Sequence, residues 1–77
     1  MRLVDAVYAR IVDLAKERGW SLNALATFCG VPHSTIATMT RSSTVKLSTV
    51  YGICAGLDMS LEEFFHSPRF DKDIITD

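Results

Sequence analysis

Apolar residues recur at helical spacing along most of the chain. The first segment has four large apolar residues on one face: Leu3, Val7, Ile11 and Leu14. The same period returns over residues 22–29, 32–40 and 46–57, and a shorter apolar run begins after Ser60. No stretch alternates with the two-residue period of a β-strand. The pattern therefore predicts an all-α fold of five short helices.

Residues typical of helix ends stand between these segments. Ser21 is the expected N-cap of the second helix, and Gly30 is its expected C-terminal stop. Pro32 suits the first turn of the third helix, because its missing N–H would have no partner there. Ser60 and Glu63 have the spacing of a capping box for the fifth helix.

The predicted fourth helix contains two glycines. Gly52 and Gly56 each cost about 1 kcal/mol relative to alanine inside a helix, which favours close packing of another backbone on that face. The residues expected to point inward are Leu47, Val50, Tyr51, Ile53, Cys54 and Leu57.

Length and composition indicate a single domain. The chain has 77 residues, 48% of them hydrophobic, which is too short for two cores. We assign residues 1–66 to the domain and residues 67–77 to a tail, in which Ser67 and Pro68 could start a sixth short helix. The apolar tail residues Phe70, Ile74 and Ile75 could fold back on the core, fray, or pair across a two-fold axis.

Several classes of protein are disfavoured. The N-terminal segment carries charges throughout and is neither a signal peptide nor a membrane span, so we expect a cytoplasmic protein. Cys29 and His33 stand four apart, but this pair straddles a turn, and both cysteines, Cys29 and Cys54, occupy apolar positions; we therefore expect no metal and no cofactor. No nucleophile has a positioned base, so we expect no enzymatic activity.

Charge is distributed unevenly, although the net charge is only -1. The nine acidic residues all lie outside the stretch from Gly19 to Leu57, whereas Arg41, Lys46 and His33 lie within it. This stretch also contains many Ser, Thr and Asn residues of the kind found on surfaces. A segment without carboxylates is compatible with a polyanionic partner.

The predicted third helix combines a narrow apolar stripe with a polar outer face. Ile36 and Met39 fall on the inner side. The opposite side spans about 140° and consists of His33, Ser34, Ala37, Thr38 and Arg41. Hydroxyls and a neutral imidazole can donate to or accept from base edges, and alanine and threonine methyl groups can contact a thymine methyl. This face is suited to DNA.

Residues 22–41, LNALATFCGVPHSTIATMTR, resemble the helix-turn-helix of the phage-repressor/Cro-like (XRE-type) DNA-binding proteins. The matching positions are Leu25 and Ala26 in the first motif helix, Gly30 and Val31 in the turn, and Ile36 and Met39 in the second helix. The stretch LSTVYGICAGLDMSLEEFF resembles the family's next two helices, so the resemblance covers about residues 3–66. It implies a lambda-repressor-like domain that binds double-stranded DNA.

The resemblance also implies roles for single residues. The sites that usually read base edges in the major groove are occupied by His33, Ser34, Ala37 and Thr38. The sites near the DNA backbone are occupied by Ser21, Asn23, Thr35, Arg41, Ser43, Thr44 and Lys46. Family members usually bind as dimers whose recognition helices lie about 34 Å apart, and the fifth helix and the tail are one candidate dimer surface.

The sequence therefore predicts a sequence-specific transcriptional repressor that inserts residues 32–40 into the major groove, as a homodimer and with no evident small-molecule ligand. The alternative is a helix-turn-helix module for protein association, such as an antitoxin-like partner or an anti-repressor. The near-neutral net charge and the apolar tail favour that alternative.

Overall fold

Five α-helices form the fold, which confirms the all-α prediction. The computed structural model describes residues 1–77, and its helices are α1 Leu3–Glu17, α2 Leu22–Cys29, α3 His33–Ala37, α4 Leu47–Gly56 and α5 Leu61–Phe65. Two 3-10 segments, Met39–Arg41 and Pro68–Phe70, follow α3 and α5. The chain contains no β-strand. None of its helices combines the length and the apolar character that crossing a bilayer requires.

One hydrophobic core joins the helices. Its buried residues come from every helix: Val4, Val7, Ile11, Leu14, Ala15, Leu25, Ala26, Ile36, Met39, Val50, Ile53, Cys54, Leu57 and Phe64. Phe64 is completely buried, and burial of a side chain of this size contributes about 1.5–3 kcal/mol. The guanidinium of Arg10 donates to the carbonyl oxygens of Phe64 at 2.8 Å and Glu63 at 3.0 Å. The five-residue helix α5 is therefore held by the buried Phe64 side chain and by Arg10, which caps its C-terminal carbonyls.

The predicted helix ends are confirmed where side chains determine them. Ser21 Oγ accepts from the Ala24 N–H at 3.1 Å, and Gly30 has a φ of 70° after the end of α2. Ser60 and Glu63 form the reciprocal capping box, with both hydrogen bonds at 3.0 Å. These boundaries were predictable because each depends on residues within one helical turn of each other in the sequence.

Some predicted inward positions are wrong. Leu47 and Tyr51 each expose 60% of their surface. Helix α4 turns Val50, Ile53 and Cys54 to the core and leaves residues 47, 51 and 55 exposed on its other side. At the start of α1, Leu3 is exposed and Val4 is buried. A period alone does not determine which edge of an apolar stripe meets the neighbouring helix.

The tail folds back on the domain. Phe70 contacts Phe64 and Phe65, with ring centroids 6.1 and 4.9 Å away. Arg69 Nη2 donates to Asp13 Oδ1 at 2.9 Å, and this hydrogen bond holds the pKa of the Asp13 carboxyl below its ordinary value. Ser67 caps the predicted extra helical turn, which is the 3-10 segment Pro68–Phe70. Within the monomer Phe70 folds back on the core, whereas Ile74 exposes 41% of its surface, and pairing across a two-fold axis stays a prediction.

Candidate nucleic-acid interface

Helices α2 and α3 form the helix-turn-helix unit. Leu25, Ala26 and Ile36 are buried where the two helices meet. The connection is short because Gly30 takes the left-handed conformation that favours glycine, and the Val31 N–H then donates to the Ala26 carbonyl at 2.9 Å. Pro32 lies just before the first residue of α3 and not within its first turn, with φ -57° and ψ 136°.

The outer face of α3 is polar, uncharged and exposed. His33, Ser34 and Ala37 are exposed, whereas Ile36 is buried on the opposite side of α3 and Met39 is buried in the 3-10 segment that follows. None of the residues of α3 is acidic. Three of the four predicted base-reading residues therefore share one accessible surface.

Thr38, the fourth predicted base-reading residue, ends the helix. Its N–H donates to the Ser34 carbonyl at 3.0 Å, and its hydroxyl donates to the same oxygen at 2.6 Å. A threonine that returns its hydroxyl to the carbonyl four residues earlier competes with regular helix geometry. The prediction of one helix over residues 32–40 is wrong: α3 stops at Ala37, and Arg41 belongs to a 3-10 turn that does not continue the wheel of α3.

The predicted backbone-contacting residues lie in two places. Ser21 and Asn23 are exposed at the N-terminus of α2, where the first N–H groups have no carbonyl partner within the helix. The other group surrounds the end of α3 and the loop before α4. In it, Arg41, Ser43, Thr44 and Lys46 are exposed and Thr35 is half-buried. Neither Arg41 nor Lys46 forms an ion pair.

Three residues of the second group, Thr35, Thr44 and Lys46, line a shallow groove between α3 and α4. Hydroxyl side chains dominate its rim, together with one lysine: Thr35, Thr38, Ser42, Thr44, Lys46 and Thr49. Ser42 Oγ accepts from the Thr44 N–H at 3.1 Å and lies 3.1 Å from the Thr44 hydroxyl oxygen, which orders the loop. Such a rim can present hydrogen-bond donors to a phosphodiester backbone.

Arg2 is a functional candidate that the sequence did not reveal. Its guanidinium donates to the carbonyl oxygens of Thr40 at 2.8 Å and Ser42 at 3.3 Å, and to both carboxylate oxygens of Asp5 at 3.0 Å. The Arg2 hydrogen bonds are the main reason that the Asp5 carboxyl has a lowered pKa. Arg2 thus secures the segment after α3. The sequence showed the spacing of Arg2 and Asp5 but not the contact with carbonyls about forty residues away.

The tail brings one carboxylate near this surface. Asp77 accepts from the Leu3 N–H at 2.9 Å and lines a shallow pocket with Ser43 and Thr44. Residues 19–57 contain no acidic residue in the sequence, but the surface around them is not free of acids. Folding brings the carboxylate of Asp77 next to Ser43 and Thr44. The face of α3 itself keeps no acidic residue.

The fold and this surface agree with the comparisons to known proteins. Residues 11–64 match a family described as helix-turn-helix, a span that includes the complete α2–α3 unit, α4 and most of α5. No match is found among curated proteins or among solved structures. Because the match spans well over half of the chain, the protein belongs to this helix-turn-helix family, the XRE-type, Cro/C1-like group of DNA-binding regulators.

Proposed function

We propose that the protein is a sequence-specific repressor whose helix α3 enters the major groove of double-stranded DNA. One observation carries this proposal: His33, Ser34 and Ala37 are exposed on a helix whose opposite side is buried in the core. Their hydrogen-bonding groups and methyl group match the chemistry of base edges. No arginine or glutamine stands among them, so we expect modest discrimination between sequences.

Contacts with the DNA backbone would set the register and orientation of the protein on the duplex. Arg41 and Lys46 are the exposed cations of the segment from Gly19 to Leu57, and the hydroxyls of Ser43 and Thr44 lie between them in the chain. Since only about two or three phosphates would be neutralised by each monomer, the slope of log affinity against log salt should be about -2 to -3 per bound monomer.

This slope tests the proposal. Random duplex DNA should bind each monomer about 15- to 65-fold more weakly when salt rises from about 50 mM to about 200 mM, as measured by fluorescence anisotropy. Arg41→Ala should weaken all sequences alike and reduce the slope by about one. Lys72→Ala, which removes a tail lysine, is the control and should leave the slope unchanged. Salt-insensitive or absent binding would contradict the proposal.

A second candidate function is association with another protein. It is favoured by the uncharged stripe of Leu47, Tyr51 and Ala55 on α4, all of which are exposed. Phe28 adds an exposed aromatic ring on α2, with 61% of its surface accessible. If duplex binding fails the salt test, this candidate becomes the leading one.

We also propose that the binding form is a homodimer that uses the tail region. The Thr76 N–H donates to the Met1 carbonyl at 3.0 Å, and near this junction Met1, Leu3 and Ile74 expose apolar side chains. A two-fold interface there would bury apolar groups that the monomer leaves in water. The dimer would have to set two α3 helices about 34 Å apart.

Ile74→Asp should therefore raise the dimer dissociation constant at least tenfold, because it inserts charge into the proposed interface; a tenfold change corresponds to about 1.4 kcal/mol. Sedimentation velocity over a concentration series measures this. Tyr51→Asp is the matched control on α4. If Tyr51→Asp weakened the dimer and Ile74→Asp left it unchanged, the interface would lie on α4 and not at the tail.

A further inference from the structure

A side-chain hydrogen bond links the two helices of the motif. Thr27 Oγ1, on α2, lies 2.7 Å from His33 Nε2, on the first residue of α3. Both residues are exposed, so the bond lies on the outer surface and not in the core. It connects a residue with no assigned role to the first predicted base-reading residue.

The bond restricts what His33 can present. A neutral imidazole carries one proton on one ring nitrogen, so the partner of Nε2 determines whether Nδ1 is a donor or an acceptor. The Thr27 hydroxyl forms no other side-chain hydrogen bond, and its hydrogen is available to Nε2. When Thr27 donates to Nε2, the proton of the ring resides on Nδ1.

We propose that Thr27 is a positioning residue that holds His33 in the Nδ1–H form, with Nδ1 donating to the N7 acceptor of a purine in the major groove. The inference rests on the proposed DNA-binding function. Guanine O6 and N7 and adenine N7 are the purine acceptors in that groove. Without the Thr27 hydroxyl, His33 samples the other tautomer and turns about its side-chain bonds.

Two variants isolate the hydroxyl. Thr27→Val keeps the shape of the side chain and removes the hydroxyl, while Thr27→Ser keeps the hydroxyl. Both changes are at an exposed position, so the fold should be retained, which circular dichroism checks. In the free protein at pH 8, long-range nitrogen–hydrogen NMR spectra of the imidazole report the tautomer. Wild type and Thr27→Ser should show a proton on Nδ1, and Thr27→Val should show a mixture.

DNA binding tests the second half of the inference. The probe is the duplex recovered by selection from a random pool, with each purine in turn replaced by its 7-deaza analogue. One such replacement should weaken wild type and Thr27→Ser about fivefold, the effect of one lost hydrogen bond of about 1 kcal/mol. The same replacement should leave Thr27→Val unchanged, and affinity for random duplex should not differ between the variants.

The possible outcomes distinguish the positioning role of Thr27 from the reading role of Nδ1. Identical tautomers in Thr27→Val and Thr27→Ser would overturn the positioning role, whether or not DNA binds. Altered tautomers with equal sensitivity to every 7-deaza replacement would overturn the reading role of Nδ1. A wild-type protein that binds no duplex would overturn the proposed function and the reading role together, while the NMR result would still decide the positioning role.

Discussion

Replacing Ala37 with glutamate is expected to lower the affinity for duplex DNA at least 100-fold. Ala37 is exposed on the face of α3, and in the proposed complex a carboxylate there would lie close to phosphates and base acceptors. Like charges brought together in an interface cost several kcal/mol, and about 2.7 kcal/mol corresponds to 100-fold. The effect should appear for every sequence, because phosphate repulsion does not depend on the bases. Anisotropy titrations with selected and random duplexes measure it.

Two controls make this result specific. Ala37→Gln adds nearly the same volume without charge and should stay within about tenfold of wild type, since any loss is steric. Ala55→Glu adds the same carboxylate to an exposed position on α4 and should leave binding almost unchanged. Equal affinities for Ala37→Glu and Ala37→Gln would mean that α3 does not face DNA.

Replacing Gly56 with alanine is expected to destabilise the fold by about 1 kcal/mol, although alanine is the better helix former. A Cβ atom at Gly56 would lie 2.7 Å from Cys29 Cα, 2.8 Å from its Cβ and 2.7 Å from its Sγ. The nearest obstacle includes backbone of α2, which cannot rotate away, so α2 and α4 must separate. Overpacking of this kind typically costs about 1–3 kcal/mol, enough to outweigh the gain of about 1 kcal/mol in helix propensity.

Gly52 provides the matched control in the same helix. A Cβ atom there would meet only Val31 Cγ2 at 3.7 Å, an ordinary contact, so Gly52→Ala should leave the free energy of unfolding unchanged or raise it by up to about 1 kcal/mol. Urea denaturation followed by circular dichroism compares the two variants. The double change Gly56→Ala with Cys29→Ala should recover only part of the loss, because Cα and Cβ of residue 29 remain. A stable Gly56→Ala protein would show that the two helices are not in close contact.

The close approach of α4 to α2 was only partly predictable. Two glycines in one helix indicated that another backbone packs there, but nothing in the sequence distinguished the two positions. The structure separates them: Gly56 faces Cys29, whose Sγ donates weakly to the Ile53 carbonyl at 3.6 Å, and Gly52 faces a side chain. A glycine shows that space is limited only after its neighbour is known.

The candidate interface was likewise only partly predictable from the sequence. The inner side of α3 was predictable because Ile36, together with Met39 just after the helix, must be buried for so short a helix to persist. The length of α3 was not predictable from the sequence. The Thr38 hydroxyl could bind a base or donate to the Ser34 carbonyl, and in the structure it donates to the carbonyl. Arg41 consequently leaves the helical face.

The sequence by itself determined the number of helices, their caps and the acid-free outer face of α3, because these depend on residues within one or two turns of each other. Tertiary structure alone decided the contacts of Arg2 with Thr40, of Thr27 with His33 and of Asp77 near Ser43. It also decided that Leu47 and Tyr51 face outward. Each of these outcomes depends on which surfaces the packed core brings together, and local periodicity carries no information about that choice.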